Sequence, residues 1–267
     1  MKAYRLAISL AGVLIAIGGV RAVEAQATGQ ESSPTTATTQ TAAANLSPEQ
    51  LGDLYMARKD YKEAAATYKE LTEKSPGNAP YFNKLGMAYQ QLAYLNAAVK
   101  SYERAIKVDP NYADAINNLG TVWYLRKKYS RAIRIYHKGI AVRPDMPVLY
   151  SNLGYAYFAQ KKYDESIAAF RKAINLDPGF FEHASSRNAS LMQNRSVEDR
   201  GRFYFLLAKS FAQSNNTERC LHYLRKARDE GYKAMDAVKT DPAFASVLKE
   251  PELEEILAPR PADSERP

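Results

Sequence analysis

Between Asn45 and Phe180 apolar and polar positions follow a helical rhythm that repeats. Leu51, Leu85, Leu119 and Leu153 each precede a glycine, and these glycines (Gly52, Gly86, Gly120, Gly154) stand 34 residues apart. Three residues past each glycine comes an aromatic: Tyr55, Tyr89, Trp123 and Tyr157. Sixteen past it comes another (Tyr68, Tyr102, Tyr136, Phe170), and twenty-four past it a proline (Pro76, Pro110, Pro144, Pro178). The leucine and the first aromatic, at i and i+4, share one helix face. So do Ala64, Tyr68 and Leu71, and Ala98, Tyr102 and Ala105, in the second half of the unit. Each unit therefore predicts two amphipathic helices joined by a short turn, at Lys59-Asp60, Ala93-Tyr94, Lys127-Lys128 and Lys161-Lys162. A glycine inside a helix costs stability, so its recurrence predicts a close helix crossing. The small residue twelve positions later (Ala64, Ala98, Ala132, Ser166) fits the same crossing. Proline ends the second helix, because it lacks an N–H and disfavours helix in the residue before it.

After Phe180 the phase breaks. Residues 181–200 are rich in Ser, Arg and Asn and read as an insertion. The column spacings return with Leu207, Ala208, Phe211, Cys220, Leu224 and Ala227, where alanine replaces glycine and no proline closes the unit. This predicts a degenerate fifth pair over residues 201–231. A repeat array needs an atypical terminal unit to cover its last apolar face. Residues 232–257 supply it as short helical segments broken at Asp241-Pro242 and Glu250-Pro251, with Phe244, Val247, Leu248, Leu253 and Ile256 as capping contacts. Residues 258–267 read as a frayed tail.

The L-G-x-x-Y, A-x-x-x-F/Y and closing-proline columns resemble those of the tetratricopeptide repeat. The resemblance covers four uninterrupted copies, 45–78, 79–112, 113–146 and 147–180. The third departs slightly, with Trp123 for tyrosine and Gly139 where alanine is usual. It implies an all-α fold: a right-handed superhelical solenoid of antiparallel helix pairs, here with a C-terminal helical cap. In this family the first helices line a concave groove that holds a partner's extended peptide or helix. The residues two before each glycine would face it: Gln50, Lys84, Asn118 and Asn152. Asn118 and Asn152 are similar to the asparagine ladder in the repeats of the O-linked sugar transferase family, which grips a peptide main chain. One side-chain amide can donate to a carbonyl and accept from an N–H. Neighbouring groove candidates are Asn83, Met87, Asn117, Thr121, Tyr124, Ser151, Tyr155 and Phe158. Tyr124, Tyr155 and Phe158 lie outside the consensus core columns, so each is either an exposed anchor for a ligand side chain or packing against the adjacent repeat. The carboxylate-clamp variant of the family needs Lys and Asn where this chain has Glu49 and Asp53, which argues against that mode.

The N-terminus has a different character. Lys2 and Arg5 precede an uncharged apolar run from Leu6 to Val20, and Val23-Glu24-Ala25 ends a short stretch with small residues at a cleavage spacing. This is the layout of a secretory signal peptide, cut after Ala25 or, alternatively, after Ala27. The run is shorter than the roughly 20 residues of an ideal spanning helix. The expected location is periplasmic or extracellular, the alternative being an uncleaved inner-membrane anchor. Residues 26–44, dominated by Thr, Ala, Ser and Gln with no bulky apolar side chain, cannot offset the entropy of ordering and read as a linker.

Composition narrows the function. Of 267 residues, 46% are apolar and 25% charged, the balance of an ordinary globular protein. The net charge is +8 and spread along the chain rather than blocked. Export argues against a nucleic-acid partner. Arg58, Lys59, Arg126, Lys127, Lys128, Lys161 and Lys162 at the turns, with Arg131, Arg134, His137 and Lys138, outline a basic edge. It is either solubilising surface or a place to meet anionic lipid, an anionic polymer or an acidic partner. One cysteine excludes an internal disulfide, and Cys220 falls in a small-residue column as a buried apolar group. His137, His183 and His222 have no partner at metal-ligand spacing. No nucleophile elbow, phosphate-binding loop, HExxH or CxxC occurs. The sequence thus implies no enzyme, metal or cofactor. It points to a scaffold that binds a protein or peptide, with membrane-surface association as the alternative.

Overall fold

The computed structural model describes residues 46–183 and 196–258. The segments expected as signal peptide and linker, the middle of the expected insertion and residues 259–267 lie outside these residues. Five antiparallel helix pairs follow one another. They are α1 (Pro48–Arg58) with α2 (Tyr61–Lys74), α3 (Ala79–Gln91) with α4 (Leu95–Val108), and α5 (Ala113–Leu125) with α6 (Tyr129–Val142). α7 (Pro147–Ala159) pairs with α8 (Tyr163–Leu176), and after a single turn α9 (Phe180–His183) comes α10 (Val197–Ala212) with α11 (Thr217–Asp229). Each helix packs on its partner and on the next pair, and the first helices α3, α5 and α7 also touch one another in sequence. The fold is an all-α solenoid.

Local chemistry sets the boundaries. Ser47 caps α1 through a capping box with Gln50, and Asn78, Ser196 and Asn216 cap α3, α10 and α11, each satisfying an otherwise orphaned N–H. Within each pair the turn residue is left-handed: Lys59, Ala93, Lys127, Lys161 and Asn215 have φ between 56° and 66°. The next N–H then reaches back five residues, as from Asp60 to the Tyr55 carbonyl and from Lys128 to that of Trp123, both at 2.9 Å. This Schellman arrangement reverses the chain in two residues. The second helices end on the residue before proline. Ser75, Asp109, Arg143 and Asp177 have φ between −145° and −129° with positive ψ, the extended geometry that proline imposes on its predecessor.

The glycine column has a specific cause. A Cβ on Gly52, Gly86, Gly120 or Gly154 would lie 2.5–2.8 Å from the ring of Tyr68, Tyr102, Tyr136 or Phe170, the aromatic sixteen residues on. The second helix thus inserts a ring where the first helix has no side chain. The small column completes the crossing: Ser166 Oγ donates to the Gly154 carbonyl at 2.9 Å. In the fifth pair Ala208 takes the glycine place and Leu224 the aromatic one, both fully buried.

α10 begins at Val197, four residues before the expected Gly201, because Ser196 is the capping residue. The C-terminal cap consists of two 3₁₀ turns, Met235–Lys239 and Pro242–Phe244, and α12 (Pro251–Leu257). Phe244, Val247, Leu253 and Ile256 are buried there, and Arg228 Nη1 donates to the Glu255 carbonyl at 3.0 Å. Leu248, expected among the capping contacts, is exposed. It adjoins the core-facing Val247 in a non-helical turn, so only one of the two can point inward.

Candidate functional site

The first helices carry a continuous line of amides between repeats. Asn152 Nδ2 donates to Asn117 Oδ1 at 2.8 Å, and Asn118 Nδ2 donates to Asn83 Oδ1 at 3.0 Å. Asn117 Nδ2 joins the two rungs through Asn118 Oδ1 at 3.5 Å, and Asn83 Nδ2 ends the line on the Tyr112 hydroxyl at 3.4 Å. Both rungs connect residues 35 apart. That is one more than the repeat period, because adjacent first helices are offset along the stack. Asn83 and Asn117 are buried, while Asn118 and Asn152 are only partly so. The buried amides therefore hold the partly exposed ones.

The same offset joins Glu49 to Lys84 at the first pair. Lys84 Nζ contacts Glu49 Oε1 and both Asp53 carboxylate oxygens, each at 2.8 Å. Burial works against the ammonium, but the hydrogen bonds with Asp53 and Glu49 outweigh it and raise the Lys84 pKa above its ordinary value. Tyr68 donates its hydroxyl to Asp53, and Tyr81 donates to Glu49 at 3.2 Å. All three donors of Lys84 are thus engaged. Lys84, expected to face a ligand, instead neutralises the two acids that displace a carboxylate clamp. Gln50, expected to face a ligand too, is likewise engaged: its Oε1 accepts from the Ser47 N–H at 2.9 Å in the capping box.

The aromatic candidates turn inward. Tyr124 is buried against Tyr129, with ring centroids 5.4 Å apart. Tyr155 stacks on Phe203 at 5.4 Å, and Phe158 meets the same ring edge-on at 5.8 Å. Phe203 belongs to α10, so the fifth pair covers the face that these side chains occupy. Tyr155 and Phe158 pack against the adjacent repeat and Tyr124 within its own pair, so none of the three stands as an exposed anchor. Ser151 is buried on the same face, and its hydroxyl and that of Tyr155 have no hydrogen-bond partner among the described residues. Thr121 donates to the Asn117 carbonyl at 3.1 Å, and Met87 remains exposed beside Asn83, Nδ2 to Sδ 3.8 Å. Of the candidates, Asn118, Asn152 and Thr121 stay partly exposed and Met87 exposed, with Asn118 and Asn152 held by the buried Asn83 and Asn117 and the line ending on Tyr112. Tyr112 was missed; the 35-residue spacings of Asn83–Asn118 and Asn117–Asn152 were the available signal for the line it ends.

Elsewhere the chemistry is quiet. Cys220 is fully buried, and burial pushes its thiol up to about 12. Among the described residues no group of three or more His, Cys, Asp or Glu is placed to hold a metal ion. No described helix is long and apolar enough to cross a membrane.

Helix pairs in register, with a polar line crossing from pair to pair, define a solenoid repeat protein. Family profiles described as "Tetratricopeptide repeat" match residues 147–180 and 113–143, and one described as "TPR repeat" matches 52–92 and 95–125. The chain is a tetratricopeptide repeat protein over this array. Among solved structures it is similar to the crystal structure of MamA, at 22% identity over 71% of this chain and 97% of that one, with a TM-score of 0.49. A MamA fragment from Desulfovibrio magneticus RS-1 aligns at 20% identity over 68% and 92%, with a TM-score of 0.49. YrrB, titled a TPR protein with an unusual peptide-binding site, aligns at 17% identity over 77% and 96%, with a TM-score of 0.46. No curated protein sequence matches the chain.

Proposed function

We propose that this chain is a non-enzymatic protein-interaction scaffold whose first-helix face holds an extended segment of a partner protein. The observation that carries the reading is the unspent capacity of two amides. Among the described residues Asn152 uses one N–H on Asn117 and keeps the other, together with its carbonyl oxygen. Asn118 uses one N–H on Asn83 and accepts one bond, keeping a donor and a lone pair. A peptide main chain offers one donor and one acceptor per residue, which is what such amides match. Because Asn83 and Asn117 already fix both groups, little side-chain entropy is lost on binding. Exposed Met87 adds an adaptable apolar contact for a partner side chain.

The test is a display selection of extended peptides on the full chain, followed by affinity measurement on variants. Asn118→Ala/Asn152→Ala should weaken the selected peptide about tenfold or more, the loss of one to two hydrogen bonds. Methylating the peptide's backbone N–H groups should weaken it similarly. A double variant that binds as well as the parent would refute main-chain reading by these amides.

The setting in which the scaffold works is a separate proposal. Lys2, Arg5 and the apolar run before Ala25 support export, and N-terminal sequencing of the mature protein tests it. A start at Gln26 or Thr28 is expected; a retained Met1 would leave the chain unprocessed.

A further inference from the structure

The turn of the third pair differs in chemistry from its counterparts. α2 and α8 open with Glu63 and with Asp164 and Glu165, acids that suit the positive end of a helix dipole. None of the second helices α2, α4, α6 and α8 has a side-chain cap, and α4 and α6 lack a first-turn acid, but of these two only α6 places a cation there, Arg131. Cations at that end oppose the dipole, so the arrangement costs stability unless a negative group joins it. Beside this turn lies an open pocket of about 420 Å³. Lys127, Lys128, Arg131 and Arg134 line it with Trp123 and Gln160, and no carboxylate does.

Of the four lining cations only Arg131 has an ion pair among the described residues. Arg131 stacks over the Trp123 ring, 3.7 Å from its centroid, and Arg126 stands 4.9 Å from the same centroid. The acid near Arg131 is Glu103, at 3.8 Å with both side chains half exposed. Lys127, Lys128 and Arg134 have no ion pair among the described residues. The buried Trp123 Nε1–H finds no acceptor among them either. Gln160 Nε2 donates to Ser130 Oγ at 2.7 Å and so fixes the far wall from the next repeat.

We propose that this pocket binds a phosphate ester. Arg131 and Arg134, one turn apart on α6, offer planar forks that match phosphate oxygens. Lys127 and Lys128 add charge from the turn, and the first N–H groups of α6 face the same end of the helix. The volume falls in the range of small-molecule sites, with room for a phosphate and the group it esterifies. The site lies at the helix turns, away from the amide line, so it is independent of the scaffold reading. The same phosphate chemistry occurs on a soluble ester and on a lipid headgroup.

Trp123 is the chain's only tryptophan, so its fluorescence reports on this pocket alone. The experiment titrates the full chain, at near-physiological salt, with glycerol 3-phosphate and with phosphatidylcholine vesicles that contain or lack phosphatidylglycerol. A saturable change in emission is expected in at least one arm. A response to the soluble ester alone assigns a soluble ligand. A response to the phosphatidylglycerol vesicles assigns a headgroup. Arg131→Glu/Arg134→Glu should weaken the response at least tenfold and still fold, because Arg131→Glu gives α6 the acidic first turn of α2 and α8, and Arg134 makes no ion pair among the described residues. Lys128→Ala/Arg134→Ala, which leaves the Trp123 stack in place, should weaken it severalfold. Arg58→Glu/Lys59→Glu removes the same charge two repeats away and should leave it unchanged. No saturable response in either arm, or equal losses in the two glutamate variants, would overturn the proposal. So would tighter binding of polyglutamate than of the ester, which would indicate an acidic protein instead.

Discussion

Gly120 and Tyr136 share one space: a methyl group on the glycine would lie 2.5 Å from the tyrosine Cε1. Glycine is a poor helix former, and alanine would ordinarily gain about 1 kcal/mol there. Here the ring is buried and cannot retreat, so the overlap outweighs the gain. Gly120→Ala should destabilise the protein by about 1–2 kcal/mol. In a Tyr136→Leu background the same change should be neutral or stabilising, as Ala208 opposite Leu224 already shows in the fifth pair. Denaturant unfolding of the four proteins of this cycle measures the reversal of sign.

The left-handed turns give an independent test. Ala93 has φ 59°, where a Cβ costs about 1 kcal/mol. Ala93→Gly removes that cost and adds back part of it as unfolded-state entropy. A net stabilisation of roughly 0.5 kcal/mol is expected in the urea midpoint.

Tyr155 presents the opposite case, a polar atom with nothing to bond. Its ring stacks well, but its buried hydroxyl lacks a partner among the described residues. Tyr155→Phe keeps the ring and deletes the orphan group. Stability should be unchanged or raised by up to about 1 kcal/mol, and a loss would mean that the hydroxyl has a partner.

Cys220 links stability to pH. Burial moves its thiol from an ordinary 9.0 up to about 12, so the folded chain keeps a proton that the unfolded chain releases. Its contribution is complete below pH 9, falls as pH rises from there, and is lost by about pH 12. Burial raises the pKa of Tyr102 and Tyr136 as well, and both reinforce the alkaline loss. Cys220→Ala should flatten the stability profile in that window. At pH 8 a thiol reagent should label the parent protein only after unfolding.

Much of this architecture is legible in the sequence because a solenoid is periodic. The leucine, glycine, aromatic and proline columns each have a local cause, and their spacing exposes it. The reason for the glycine is less visible: it admits a ring from the partner helix rather than the partner's backbone. The candidate site was only half legible. Asn118 and Asn152 could be picked out as polar residues on the first-helix face. Tyr124, Tyr155 and Phe158 look equally available, since Tyr124 is covered by Tyr129 of its own pair, and Tyr155 and Phe158 by Phe203 in a degenerate repeat more than forty residues on. Gln50 and Lys84 fit the column by residue type but are spent on a cap and on ion pairs with Glu49 and Asp53. The phosphate pocket was hidden for another reason, because Trp123 sits in a core column and its neighbours read as ordinary surface charge.

The account rests on the amide line as the working surface. Its most direct test is the side-chain amide NMR spectrum of the full chain, titrated with a display-selected peptide at high salt. The Asn118 and Asn152 signals should shift saturably with the peptide, while those of Asn96 and Asn175, away from the line, stay in place. Peptide binding that leaves Asn118 and Asn152 unmoved, or that disappears at high salt, would contradict it.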